Sequence, residues 1–281
     1  MTGTTSRNAR CVFLSQILIV ILAAPIAALA ARDLGVDVSH FQGETGMPQA
    51  NWDQLAAEGR TFAFAKATEG LSPPGNIDFT WPTNVQRAQS AGLLAGVYHF
   101  ARPDNRPNVV GARAEADHFV ATAGAAMNNG SLRPVLDLER AAATQTPADL
   151  TDWVLAFVNE VTLLKGPGAE PIVYCDTFFA SSKLDSRVAG LDLWIRSVNG
   201  QNPQTGQPTT TGQFSDWMFW QYAVGAAGGI GSIDLNVQHS EAHPLSSFVV
   251  VPEPATATMT AAVLVLALGT CRRRNSRAIV Q

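Results

Sequence analysis

NWDQLAAEGRTFAFAKATEG, residues 51 to 70, carries the local pattern that decides the fold. Residues 51 to 59 read as a helix opened by the cap-capable Asn51. Residues 62 to 67 (FAFAKA) follow as a short apolar strand that runs out into Lys66 and Glu69. Outward from this unit, strand-like runs recur at 34 to 38, 93 to 99, 133 to 138, 171 to 175, 191 to 196, 217 to 222 and 232 to 237. Helical stretches separate the first six, at 51 to 59, 79 to 91, 111 to 127, 147 to 165 and 177 to 187, with Thr146 before Pro147 and Asp176 as further cap signals. After the sixth strand comes a polar loop, 199 to 215, and then two strands joined by the glycine-rich 225 to 231. Near-continuous apolar strands in this order predict the α/β class: a TIM-like barrel of five β/α units and three further strands, forming a single catalytic domain. An open doubly wound sheet shows similar runs. No internal repeat is present, and no P-loop or G-x-G-x-x-G follows a strand.

The chain has 281 residues and a formal net charge of −4, but its ends conceal a more acidic centre. Residues 33 to 251 hold 12 basic and 22 acidic side chains, and Lys66, Lys165 and Lys183 are their only lysines. Such a surface repels phosphate backbones, so nucleic acid is excluded as a partner. Cys175 is the one cysteine in that stretch, which leaves no disulfide to staple it. The five histidines are scattered without metal-ligand spacing, and no metal or organic cofactor is expected.

Residues 1 to 31 read as a signal peptide. Arg7 and Arg10 precede the apolar run 11 to 30, and Ala28-Leu29-Ala30 offers a small-x-small cleavage site. An uncleaved anchor is the alternative. At the other end, 246 to 254 read as a linker carrying Pro252-Glu253-Pro254, 255 to 271 as a transmembrane helix, and 272 to 281 as a basic cytoplasmic tail opened by Arg272-Arg273-Arg274. Pro-Glu-Pro, an apolar helix and an arginine cluster together resemble the bacterial PEP-CTERM sorting signal; a plain single-span anchor is the alternative. The resemblance implies export, transient anchoring by the C-terminal helix, and release to the cell envelope or extracellular matrix by a sorting protease acting after signal peptidase.

In a β/α barrel the functional groups stand at the carboxyl ends of the strands, and polar residues collect there. Besides Lys66 and Glu69 these are Asp37 with Ser39, Tyr98 with His99, Asp137 with Glu139, Tyr174 with Asp176, Trp220 with Gln221, and Asp234. Asp137-Leu138-Glu139 is the sharpest feature, because a period of two sends both carboxylates to one face. Two acids so placed suit cleavage of a glycosidic bond. With Asp37 and Asp234 at the same mouth, repulsion and partial burial would keep one of the four protonated near neutrality. Tyr98, Tyr174, Trp217 and Trp220 would offer flat faces to sugar rings. An Asp-x-Glu at a strand end can also cap the next helix or hold a structural cation. Lys66 can simply neutralise the acids, and His99 can be a hydrogen-bonded wall residue. Trp194, Phe219 and Cys175 read as packing.

GVDVSHFQG (35 to 43), residues 51 to 70, NVQRAQSAGLLAGVYHF (84 to 100), PVLDLE (134 to 139), PIVYCD (171 to 176) and WQYAVGAAGGIGSIDLN (220 to 236) together resemble glycoside hydrolase family 25, over about residues 33 to 240. The resemblance implies a lysozyme, an N-acetylmuramidase, with its catalytic barrel at 33 to 245. Its substrate would be the β-1,4 bond between N-acetylmuramic acid and N-acetylglucosamine in peptidoglycan glycan strands. It implies Glu139 as proton donor, Asp137 as its partner at the anomeric centre, and Asp37 and Asp234 completing the cluster. Either Asp137 attacks directly or it orients the 2-acetamido group; both routes give retention. Lys66, Glu69, Tyr98, His99, Tyr174, Trp220 and Gln221 are the expected substrate-binding residues, and the enzyme is expected to act as a monomer. Two departures stand out. Where the family usually continues Trp-x-Ala-x-Tyr, Trp194 is followed by Ile195-Arg196-Ser197-Val198, and Arg140 with an alanine-rich stretch follows Glu139. The rival readings are a non-hydrolytic glycan-binding barrel and a hydrolase of chitin or exopolysaccharide.

Overall fold

Eight strands close on themselves in sequence order: β1 (Leu34–Val38), β2 (Arg60–Glu69), β3 (Leu94–Phe100), β4 (Val135–Asp137), β5 (Ile172–Asp176), β6 (Leu193–Arg196), β7 (Phe219–Ala227) and β8 (Ser232–Gln238). β1 through β7 pair parallel with their neighbours, while β8 runs antiparallel to both β7 and β1 and so seals the barrel. Among the described residues four α-helices cover the outside: α1 (Gln49–Ala57), α2 (Trp81–Ser90), α3 (Val109–Ala123) and α4 (Pro147–Lys165). This computed structural model describes Met1 and residues 31–71, 77–227, 230, 232–240 and 242–251. The signal peptide at 1 to 31, except Met1 and Ala31, the Pro-Glu-Pro motif, the helix at 255 to 271 and the basic tail lie outside those residues. Among the described residues no helix is long and apolar enough to cross a membrane.

Period-two alternation sorts the strand side chains into two layers. Phe62, Phe64, Ile172, Trp194 and Phe219 fill the barrel, whereas Ala63, Ala65, Val97, Leu136, Val173 and Ile195 face the helices. Two glycines make room inside. A Cβ at Gly35 would collide with the Phe62 ring, and one at Gly96 would lie 2.8 Å from the ring of Phe64. α4 begins where the sequence signals it, with Thr146 and Asp149 forming a reciprocal capping box ahead of Pro147.

Two expectations are corrected. Residues 177 to 187 form no α-helix of ordinary length, but a π-helical turn, Phe179–Lys183, followed by a 3₁₀ turn, Ser186–Val188. Gln213 donates its backbone N–H to the Ala180 carbonyl at 2.9 Å, which takes an acceptor the helix would have used. The folded body also continues beyond 245. A 3₁₀ turn, Leu245–Phe248, closes the amino-terminal end of the barrel, with Phe248 only 3% exposed and edge-on to Phe219. Val249 bridges Leu132, and the Val250 backbone bonds to Gly130 and Ser131. Residues 246 to 250 are therefore a plug rather than a linker. Phe248→Ala is expected to cost about 3–5 kcal/mol in urea denaturation followed by circular dichroism; a loss below about 1 kcal/mol would return the segment to linker status.

Candidate active site

The carboxyl ends of the parallel strands open onto a cleft of about 350 Å³. Asp37, Lys66, Tyr98, Asp137, Glu139, Tyr174, Gln221 and Asp234 all line it. Asp37 and Asp234 stand opposite each other in the antiparallel β1–β8 register. A polar chain spans the floor: the Tyr174 hydroxyl donates to Gln221 Oε1 (2.8 Å), and Gln221 Nε2 donates to Asp37 Oδ2 (3.0 Å). Asn236 Nδ2 donates to the same Asp37 oxygen (2.8 Å), and Trp194 Nε1 donates to Asn236 Oδ1 (3.0 Å). Asp234 Oδ1 accepts from the Gly225 N–H at 2.7 Å. The donors fix Asp37 and Asp234 in place, as a reacting centre requires.

Burial dominates the electrostatics. It pushes the Asp37 carboxyl up to about 7, with the charge of Asp234 adding to it and the Asn236 and Gln221 hydrogen bonds opposing it. Asp137 is 7% exposed, and among the described residues its Oδ1 has no hydrogen-bond partner. Burial, then the charges of Glu139 and Asp37, raise it well above the ordinary carboxylate range. Glu139 stands exposed at the rim. Partial desolvation raises it too, and Asp176 and Asp234 add to the effect, while Arg196 and Arg140 pull it down. Asp234 is likewise raised by burial, against the Gly225 hydrogen bond and Arg196. Crowding and partial drying thus shift all four carboxyls towards the protonated form.

A carboxyl held above its unfolded pKa binds protons more tightly in the folded state, so for Asp37 the contribution to stability is complete below the unfolded pKa of 3.8 and is lost as pH rises from there through about 7. Asp37→Asn keeps an oxygen for Asn236 but cannot ionise. In thermal melts it is expected to match the parent near pH 3, below the unfolded pKa, and to exceed it by about 5 °C or more at pH 8. A variant that melts lower at pH 8 would contradict the assigned cost of the Asp37 charge.

On the other wall, Lys66 Nζ donates to Glu69 Oε2 at 2.6 Å and lies over the Phe100 ring, 4.7 Å from its centroid. Arg102 holds the second Glu69 oxygen at 3.1 Å. Against burial, these two cations keep Glu69 below its ordinary pKa. Glu69 itself lines a neighbouring groove that shares Lys66 with the cleft.

Besides Glu69, two further expected binding residues are turned away from the cleft. Tyr98 points inward, so its neighbour His99 points outward; it is fully buried, bonded to Thr68 Oγ1 (2.8 Å) and Glu115 Oε2 (2.9 Å), and stacked on Phe157. Trp220 alternates in the same way with Gln221. It packs under the helices and donates its indole N–H to the Ser197 carbonyl, with Trp217 edge-on beside it. The aromatic faces that do border the cleft are Tyr98, Tyr174, Phe100, Trp194 and Phe41. Phe41 is 82% exposed. Phe41 was not singled out in the sequence, and Trp194, read there only as packing, is the floor. Cys175 is buried and free. Among the described residues no group of His, Cys, Asp or Glu is arranged to hold a metal ion.

An eight-stranded barrel with a hydrogen-bonded carboxylate cluster at the carboxyl ends of its strands defines the class: β/α barrels that carry their chemistry in the mouth of the sheet. Within it the assignment is specific. The model of Glycosyl hydrolases family 25 matches residues 36–228, and the chain belongs to that family. It is similar to lysozyme M1 of Streptomyces globisporus, 29% identical over 217 residues that are 72% of this chain and 66% of the relative. It is also similar to the autolytic lysozyme of Clostridium acetobutylicum, 28% identical over 72% of this chain and 54% of the relative. The chain thus spans somewhat less than two thirds of the first relative and about half of the second. The solved structure of the bacterial lysozyme from Streptomyces coelicolor superposes with a TM-score of 0.63 at 28% identity, covering 78% of this chain and 98% of that one.

Proposed function

We propose that this protein is an exported N-acetylmuramidase that hydrolyses the β-1,4 bond between N-acetylmuramic acid and N-acetylglucosamine in peptidoglycan. The observation that carries the reading is the convergence of Asp37, Asp137, Glu139 and Asp234 on one cleft. Family membership and the lysozymes among its relatives support the substrate.

Glu139 is the general acid. Its place at the rim lets it regain a proton from water after each turnover, and its raised pKa favours the protonated form that a general acid needs. It protonates the glycosidic oxygen as the bond to the anomeric carbon lengthens. Asp137, deeper and on the same face, meets the positive charge that develops there, either by attacking the carbon or by orienting the 2-acetamido oxygen to attack it. The same Glu139, now a carboxylate, then takes a proton from the water that opens the intermediate, and two inversions give net retention. Asp37 is pinned by Gln221 and Asn236 and sits with Asp234 on the far side of the cleft. Tyr98, Tyr174, Phe100 and Phe41 supply surface for sugar rings, and Lys66 balances the acids.

Export is proposed from residues 1 to 31, and anchoring followed by release to the cell envelope or matrix from Pro252-Glu253-Pro254, the apolar 255 to 271 and the arginines after them. Signal peptidase and a C-terminal sorting protease are the processing partners, and the working form is a monomer. Turnover of purified peptidoglycan, chitin and a matrix polysaccharide by the same preparation tests the substrate. Products are expected from peptidoglycan; products from chitin alone would overturn the muramidase reading, and tight binding without products would make the barrel an adhesin.

A further inference from the structure

The cleft is acidic and the chain around it is acidic, yet among the described residues two arginines near its mouth, Arg140 and Arg196, make no hydrogen bond or ion pair, and Arg196 is the one placed by strand register. Arg196 is the last residue of β6, and alternation puts it on the same face as Trp194, which forms the cleft floor two residues earlier. Its register partners are Asp176 on β5 and Gln221 on β7, so it stands at the rim between the β5 side and the wall that carries Gln221 and Asp234. The guanidinium is exposed, and among the described residues it makes no hydrogen bond or ion pair. Several other arginines are spent in ion pairs: Arg102 is held by Glu69 and Asp104, Arg133 by Asp192, and Arg187 by Asp152 and Asp185. The field of Arg196 nevertheless reaches Glu139, Asp234 and Tyr174, which border the cleft on both sides.

A planar fork of donors, unspent and placed over a sugar-binding cleft, fits a carboxylate. In the proposed substrate only one of the two sugars offers it. The muramyl ring carries a lactyl ether ending in a carboxyl group, which is free in peptide-stripped glycan and extended by a stem peptide with its own carboxylates in intact wall. N-acetylglucosamine has neither. We propose that Arg196 is a specificity-determining residue that binds a carboxylate borne by the 3-O-lactyl arm of the muramyl residue and so separates peptidoglycan from neutral amino-sugar polymers such as chitin. This deepens the muramidase reading and rests on it.

The test measures binding and turnover in parallel, with the intact chain and its Arg196→Gln and Arg196→Lys variants. Three glycan oligosaccharide preparations are compared: peptide-stripped with free lactyl carboxylates, the same with those groups converted to methylamides, and stem-peptide-bearing. The wild type is expected to bind the carboxylate form about five- to tenfold more tightly than the methylamide, less so in 0.5 M NaCl. Arg196→Gln should erase that preference while leaving methylamide binding within about twofold, and Arg196→Lys should retain part of it. A loss seen only with the peptide-bearing glycan would support recognition with the carboxylate on the stem; a loss with the stripped glycan places it on the lactyl group. Equal losses on all three glycans, no loss on any, or no binding by the wild type would overturn the proposal. Carboxylate-selective binding without cleavage would instead overturn the muramidase reading and leave Arg196 in its role.

Discussion

Glu139→Gln is expected to lower kcat on peptidoglycan by about 10²- to 10⁴-fold while leaving the melting temperature within about 2 °C of the parent. The side chain keeps its shape and reach, and since it is exposed at the rim its replacement opens no cavity. What disappears is the proton. A leaving sugar alkoxide departs poorly without one, so the loss falls on bond breaking: kcat and kcat/KM drop together while substrate affinity holds. Steady-state reducing-sugar release at several substrate concentrations reads the split. Activity within threefold of the parent would remove Glu139 from the role of acid.

Asp137→Asn is expected to cost about 10²-fold or more in kcat and, unlike the first substitution, to raise stability at neutral pH. Asp137 is buried, its Oδ1 has no partner among the described residues, and its ionisation is resisted by burial and by the charges of Glu139 and Asp37. An amide of the same size has no charge to bury, so the folded state loses a strain that the chemistry needs. Without the carboxylate, the positive anomeric carbon has neither a nucleophile nor a group to orient the acetamido oxygen. Paired assays at pH 7, one of turnover and one of thermal unfolding, check both signs. Normal turnover with a lowered melting temperature would recast Asp137 as a structural residue.

Both substitutions fall on residues that were legible in the sequence, because period two is a hard constraint on a strand. Once 133 to 138 reads as a strand, Asp137 and Glu139 must share a face, and barrel topology says which end matters. The same rule applied to the neighbours would have caught the two residues that failed. Adjacent residues cannot both face the mouth, so of Tyr98 with His99, and of Trp220 with Gln221, only one in each pair could line it. Which one depended on register, and register rests on Phe62, Phe64 and Trp194 filling the barrel.

The remaining misses come from contacts distant in sequence. The helical pattern of 177 to 187 is real locally, and Asp176 does accept from the Phe179 N–H at its start. It is overridden by Gln213 at the Ala180 carbonyl and by Thr151, whose hydroxyl oxygen accepts the Asp185 N–H. Residues 246 to 250 look like a linker because they have no period of their own. Their partners, Leu132 and Phe219, lie over a hundred and about thirty residues away in sequence. Phe41 escaped because a lone exposed aromatic acquires meaning only when a cleft lies beside it.

The central claim is that this barrel cuts the muramyl bond, and the ends of the products report it most directly. Purified peptidoglycan would be digested by the wild type and by Glu139→Gln, the new reducing ends converted to alditols with borohydride, and the fragments identified by mass spectrometry. Fragments ending in muramitol, released by the wild type and scarcely by the variant, are the predicted result. Ends in glucosaminitol, or no new ends from a folded protein that binds the glycan, would contradict it.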